Sequence, residues 1–155
     1  MIQGYFSKLC PKFKWQVEEV KLNDGQMITL EWAVNSQPYA ESGLQSSQND
    51  TPIVLIHHGA YCNSRDMPGA DYIAEAHKRG WIVAVFNRRN HSGRKYPLTK
   101  PCWNFFGSTE DVKYVTNNYI LKRRPNAQLF MIGLSAGSGL LAKFFGESEL
   151  FTAGC

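Results

Sequence analysis

No stretch of the 155-residue chain approaches the ~20 apolar residues of a membrane span, and no charged-then-apolar leader opens it. A cytoplasmic or membrane-peripheral location is therefore expected. The four cysteines, Cys10, Cys62, Cys102 and Cys155, form no CxxC pair and no compact framework. That spacing argues against a disulfide scaffold and favours free thiols in a reducing compartment. Neither charge sign dominates: 17 basic against 13 acidic side chains give +4, too mild to argue for a nucleic-acid partner. No metal and no cofactor is expected. What remains is ordinary for a globular chain, with 43% hydrophobic and 19% charged residues, enough to bury the core of one domain.

The most informative stretch is Gly133-Leu134-Ser135-Ala136-Gly137. It follows Gln128-Leu129-Phe130-Met131-Ile132, which reads as a short buried strand. Leu140, Leu141, Phe144 and Phe145 recur after it at helical spacing. A strand, a tight turn and a helix with serine at the apex form the setting of a nucleophile elbow. Such a turn strains the serine backbone, and Gly133 and Gly137 let strand and helix approach closely enough to hold it. The hydroxyl of Ser135 is thereby expected above the sheet, with the Ala136 N–H aimed where an oxyanion would form.

A second donor belongs to the loop after an earlier core strand. Ile53-Val54-Leu55-Ile56 is such a strand, and it runs into His57-His58-Gly59-Ala60-Tyr61. Gly59 would let the loop pass close to a substrate, leaving the Ala60 N–H as the natural donor. Along the chain, Trp15 to Lys21 and Met27 to Val34 alternate as strands around Asn23-Asp24-Gly25, a hairpin signal. Residues 15–34 are thus a hairpin and 35–51 a polar surface insertion. The segment 52–155 is the α/β core, and 1–155 together are read as a single partial domain. Within it Asp71 to Arg79 reads as a helix stopped by Gly80, and Trp81 to Phe86 as a buried strand. A basic loop from Asn87 to Pro101 leads to Ser108-Thr109-Glu110-Asp111, a capping-box-like start. That helix keeps its spacing through Val112, Val115 and Tyr119 until Lys122-Arg123-Arg124-Pro125. Alternation of strand and helix predicts an α/β fold with a mostly parallel sheet and helices on both faces.

The chain resembles the N-terminal half of an α/β-hydrolase of the YheT-like esterase and lipase family. The matching segments are Val20-Lys21-Leu22-Asn23-Asp24-Gly25 with Leu30-Glu31-Trp32, His58-Gly59, and Val85 to Gly93. Ser108 to Val112, Gly133 to Gly137 and Lys143 to Glu147 complete the order. The resemblance implies hydrolysis of carboxylic esters: short-chain esters, monoacylglycerols or phospholipids, with peripheral membrane contact compatible with it. It also implies that the Gln128–Ile132 strand lies mid-sheet, with three further strands and a late helix beyond it. In that fold the triad runs serine, acid, histidine. The residues after Ser135 contain Glu147 and Glu149 but no histidine. The triad acid and histidine are therefore expected to be absent, the chain truncated and inactive alone, and the isolated chain dimeric, aggregated or molten. The alternative is a non-catalytic interaction fragment or pseudoenzyme that retains the first half of the fold.

Other candidates have plainer readings. Of His57 and His58, one is expected to be structural and one a hydrogen-bonding partner. His91, at the carboxyl end of its strand, reads as a solvated loop residue, and His77 as surface or core packing. Arg88, Arg89, Arg94, Lys95 and Lys100 could meet an anionic headgroup, but solvated loop charge is the favoured reading. Lys122-Arg123-Arg124 is accounted for by a helix macrodipole. Cys62 reads as a bystander thiol, and Ser138 lacks the flanking glycines that would make it a rival.

Overall fold

The computed structural model describes residues 13–34, 50–92, 96–97 and 106–147. Most of the polar insertion, the basic residues Arg94, Lys95 and Lys100, and Cys10, Cys102 and Cys155 lie outside them. Strands β1 (Lys14–Lys21) and β2 (Met27–Val34) pair antiparallel from Lys14↔Val34 to Lys21↔Met27. The predicted turn joins them. Gly25 takes φ 84°, a left-handed value that glycine adopts without a Cβ clash, and Asp24 Oδ1 accepts the Gln26 N–H at 3.1 Å.

Strands β3 (Ile53–His57), β4 (Ile82–Asn87) and β5 (Leu129–Gly133) complete a five-stranded sheet ordered β1-β2-β4-β3-β5. β4 and β5 both lie parallel to β3, whereas β2 meets β4 antiparallel. β3 is buried at all five positions, as an apolar run in a parallel sheet covered on both faces must be.

Helices α1 (Ala70–Lys78), α2 (Thr109–Val115) and α3 (Ala136–Glu147) supply that cover. On one face Leu30, Trp32, Ile53, Leu55, Ala84 and Phe86 form a core cluster with Val112, Val115, Leu140 and Phe144. On the other, Val54, Ile56, Val83 and Val85 meet Ile73 and Ala76 of α1 and Met67 of the loop before it. Each such aliphatic side chain, fully buried, contributes about 1.5–3 kcal/mol. α1 stops one residue earlier than predicted, and Gly80 follows at φ 72°.

Two local expectations are corrected. Ser108 makes no side-chain cap at the start of α2, and the reciprocal half of a capping box is absent because the Asp111 carboxylate is held by Arg89. Arg89 donates to both Asp111 carboxylate oxygens at 2.7 Å and to Asp24 at 2.6 Å, tying the hairpin turn to α2. Two carboxylates against one fork also raise the guanidinium above its ordinary pKa. The helical spacing after Val115 continues, but Thr116–Leu121 widens into a π turn. Arg123 beyond it pairs with Glu18 of β1, so its charge does more than complement a helix end. No helix among the described residues is long and apolar enough to cross a membrane.

Candidate active site

Ser135 is exposed at the β5–α3 turn with φ 52°, a left-handed value strained for a side chain with a Cβ. The geometry around it explains the glycine spacing. A Cβ on Gly133 would lie 2.5 Å from the Ser138 Cα and 2.6 Å from the Gly137 carbonyl oxygen. A Cβ on Gly137 would overlap the His57 carbonyl oxygen outright. α3 therefore begins in direct backbone contact with the end of β3. The Leu134 N–H donates to that same His57 carbonyl at 2.9 Å, carrying the β3–β5 pairing one residue past the strand.

The contact brings the two expected donor loops together. The Cβ position of Gly59 lies 3.4 Å from Ser135 Cβ and 3.9 Å from its Oγ. Gly59, Ala60, Gly133, Leu134 and Ser135 line one open cleft of about 720 Å³, together with Cys62, Pro68 and Tyr72. Ala136 and Gly137 are buried at the first turn of α3, where N–H groups lack helical partners. All six residues singled out from the sequence, Gly59, Ala60, Gly133, Ser135, Ala136 and Gly137, thus meet at the carboxyl ends of β3 and β5.

The two adjacent histidines differ sharply. His57, the last residue of β3, is fully buried beside the Phe86 ring, and neither ring nitrogen has a hydrogen-bond partner among the described residues. Burial, then the neighbouring His58 and Arg88, lowers its pKa to about 3. His58 is equally buried but bonded at both nitrogens. Its Nε2 lies 3.2 Å from the Arg88 backbone N–H, a pure donor, so that nitrogen must accept. Nδ1 then carries the proton and donates to the Gly59 carbonyl at 2.8 Å. Burial also holds His58 down to about 3, leaving it neutral.

Arg88 corrects the reading of the basic cluster as solvated loop charge. It is 3% exposed. Its Nη2 donates to the Gly59 carbonyl at 2.7 Å and its Nη1 to the Phe106 carbonyl at 2.9 Å. Gly107 at φ 98° leaves room for it, since a Cβ there would sit 2.8 Å from Arg88 Cδ. Sequence reasoning missed this residue because an Asn-Arg-Arg run after a strand reads as polar loop. Its only signal was position at the carboxyl end of a core strand, where ligands bind in open α/β sheets. A second buried polar group was missed as well. Asn87 accepts the Ser64 N–H and donates to Thr29, while Ser64 donates to Glu31 at 2.7 Å, anchoring the 59–69 loop on β2.

His91 is half-buried rather than solvated. Its ring packs on His58 at 5.1 Å and its Nδ1 lies 2.8 Å from the Arg89 carbonyl, and it does not line the cleft. Cys62 is a free thiol whose pKa burial pushes up, with Asp66 adding to the shift. It is thus kept from the nucleophilic thiolate form. Ser138 spends its hydroxyl on the Ser135 carbonyl oxygen. Among the described residues no group of three His, Cys, Asp or Glu could hold a metal ion.

No protein-family model matches the chain. Among curated proteins it is 31% identical over 106 residues to the monoacylglycerol lipase of Saccharomyces cerevisiae, spanning 67% of this chain and 23% of that protein. It is 27% identical over 139 residues to the human phospholipase ABHD3, spanning 88% and 32%. It is 25% identical over 142 residues to the embryogenesis-associated protein EMB8 of Picea glauca, spanning 92% and 30%. The chain therefore spans about a third or less of these relatives' length. Its fold is similar to that of an esterase from Pyrococcus furiosus, with TM-score 0.56, 18% identity, and coverage of 88% of this chain and 48% of that one. An acylaminoacyl peptidase from Pyrococcus horikoshii is similar at TM-score 0.57 and 12% identity, covering 97% and 24%. With a mostly parallel sheet, a strained serine turn and lipase relatives, the chain belongs to the α/β-hydrolase superfamily.

Proposed function

We propose that this chain supplies the nucleophile and the oxyanion donors of a YheT-like serine ester hydrolase acting on carboxylic esters or lipids. The observation that carries the reading is the closeness of two loops: the Gly59 backbone packs against the strained Ser135 side chain, within one cleft. Ser135 Oγ attacks the acyl carbonyl as its proton passes to a base. The N–H groups of Ala60 and Ala136 receive the resulting oxyanion. Collapse of the tetrahedral adduct expels the alcohol and leaves an acyl-enzyme, which water then hydrolyses to release the acid. The apolar flank of Leu134, Pro68 and Tyr72 suits an acyl chain, and relatives named as monoacylglycerol lipase and phospholipase support an acylglycerol or phospholipid substrate.

No histidine base stands at the cleft among the described residues. No histidine follows Ser135, His58 is bonded at both nitrogens, and His91 lies outside the cleft. Ester turnover by these residues alone is expected near background, since enzymes lacking a triad member keep only about 10³–10⁴-fold catalysis over water. The second reading is a non-catalytic module that binds through this half of the fold. A fluorophosphonate probe separates them. In a chain continued to an acidic residue and a late histidine, Ser135 labels and Ser135→Ala does not. Labelling that survives the substitution places the nucleophile elsewhere. Robust hydrolysis by the 155 residues, lost in Ser135→Ala, would overturn the inactive state and make His91 the first base to test.

A further inference from the structure

We propose that Arg88 is a positioning residue that aims and polarises the Ala60 N–H through the Gly59–Ala60 peptide. The inference rests on the oxyanion role given to Ala60 above and names the group that enforces it. Among the described residues every peptide bond is trans, so the Gly59 carbonyl and the Ala60 N–H point in opposite directions across one rigid plane. Two donors hold that carbonyl: Arg88 Nη2 at 2.7 Å and His58 Nδ1 at 2.8 Å. They fill both lone pairs from the buried side. The N–H is thereby turned the other way, toward the cleft that Gly59, Ala60 and Ser135 share. No hydrogen bond of the Ala60 N–H occurs among the described residues, so it is available to a ligand.

The guanidinium adds more than direction. A charged donor on a carbonyl draws electron density along the amide and strengthens its N–H as a donor. The arginine is itself held by three hydrogen bonds in a space that Gly107 leaves open, which is why it can act as a clamp. Its backbone N–H holds His58 Nε2, Nη1 holds the Phe106 carbonyl, Nη2 holds Gly59, and Gly107 gives way to its stem. Unlike the Ala136 donor, which the α3 turn orients by itself, the Ala60 donor depends on a distant side chain, that of Arg88 just past β4, beside the neighbouring His58.

The experiment compares wild type, Arg88→Met and Arg88→Lys, each in a chain continued to an acidic residue and a late histidine, by two readouts. The first is the backbone amide spectrum of ¹⁵N-labelled protein, with Ala136 as the internal reference. The second is the rate of Ser135 modification by a fluorophosphonate. Arg88→Met should move the Ala60 amide proton upfield while Ala136 stays in place. It should also slow modification about 10²-fold, the usual loss when one oxyanion donor is removed. Arg88→Lys, which keeps the charge and reaches one carbonyl but not both, should recover part of each change. If Arg88→Met does not fold, Arg88→Lys decides alone. A folded variant with unchanged Ala60 amide and unchanged modification overturns the proposal, as does a shift of Ala60 and Ala136 together. If Ser135 of the continued wild-type chain takes no probe, the ester-hydrolase reading fails, and the amide spectrum still decides the clamp.

Discussion

The turn after β5 and the loop after β3 lie side by side at one end of the sheet, yet their backbones are held by opposite means. The β5–α3 turn is local. Its strain sits in Ser135 at φ 52°, and its hydrogen bonds run from Gly137 to Leu134 and from Ser138 to Ser135. Its glycines exist because strand and helix touch. The loop after β3 is held largely from a distance, by Arg88 just past β4, which joins the neighbouring His58 on the Gly59 carbonyl, and by Asn87, Ser64 and Glu31 across to β2. A turn set by its own backbone is written in five consecutive residues. A loop set by buried charge is written across the chain, and a substitution in another strand can displace it.

The comparison can be broken most severely at Gly137. A Cβ there falls on the His57 carbonyl oxygen, which is backbone and cannot swing aside. Gly137→Ala should cost more than about 3 kcal/mol, because α3 must shift off β3. Urea unfolding checks it, and a loss below about 1 kcal/mol would mean that helix and strand are not locked.

Acid tests the second loop. His57 and His58 both have folded pKa values near 3 against 6.5 for the free side chain. Above pH 6.5 both are neutral folded or unfolded, and stability is full. Below it the unfolded chain binds protons that the folded chain refuses, so stability falls as pH drops from 6.5 toward 3. The slope is about 1.4 kcal/mol per pH unit for each histidine. Denaturant midpoints from pH 7 to 5 should fall steadily, and His57→Leu should remove about half of that slope. A slope that His57→Leu leaves intact would show that the buried unpartnered ring is not one of its sources.

Gly59→Ala separates positioning from stability. The added methyl would meet Ser135 Cβ at 3.4 Å, ordinary contact, so folding should change by less than about 1 kcal/mol. The methyl also stands 3.9 Å from Oγ, in the space a substrate carbonyl needs. Probe labelling of Ser135 should fall at least about tenfold while the unfolding midpoint stays in place. Equal losses in both would assign Gly59 to packing alone.

The smallest effect is expected at Ser135 itself. Glycine relieves a left-handed backbone worth about 1–2 kcal/mol, partly offset by the greater freedom of unfolded glycine. Ser135→Gly should therefore stabilise the chain by about 0.5–1 kcal/mol while abolishing probe labelling. Destabilisation would mean that the serine hydroxyl, not the turn, holds the elbow.

Much of this site is legible in the sequence. The G-x-S-x-G turn between an apolar strand and an amphipathic helix states much of its own geometry, because Gly133 must clear Gly137 and Ser138, while Gly137 answers to the His57 carbonyl at the end of β3. The hairpin was readable from Asn23-Asp24-Gly25 and the parallel core from its alternation of strand and helix, both consequences of local backbone preference and hydrophobic period. The buried arginines were not legible. Arg88 and Arg89 look alike in sequence, yet one closes on a carbonyl behind the cleft and the other on carboxylates of β1–β2 and α2. Adjacent residues at a strand end face opposite ways, and only the packing of distant segments decides what each meets. His57 and His58 divide for the same reason, one turned into an apolar layer and one onto a backbone N–H. Chain order determined where a nucleophile would stand; the three-dimensional arrangement of charge determined what holds the peptide beside it.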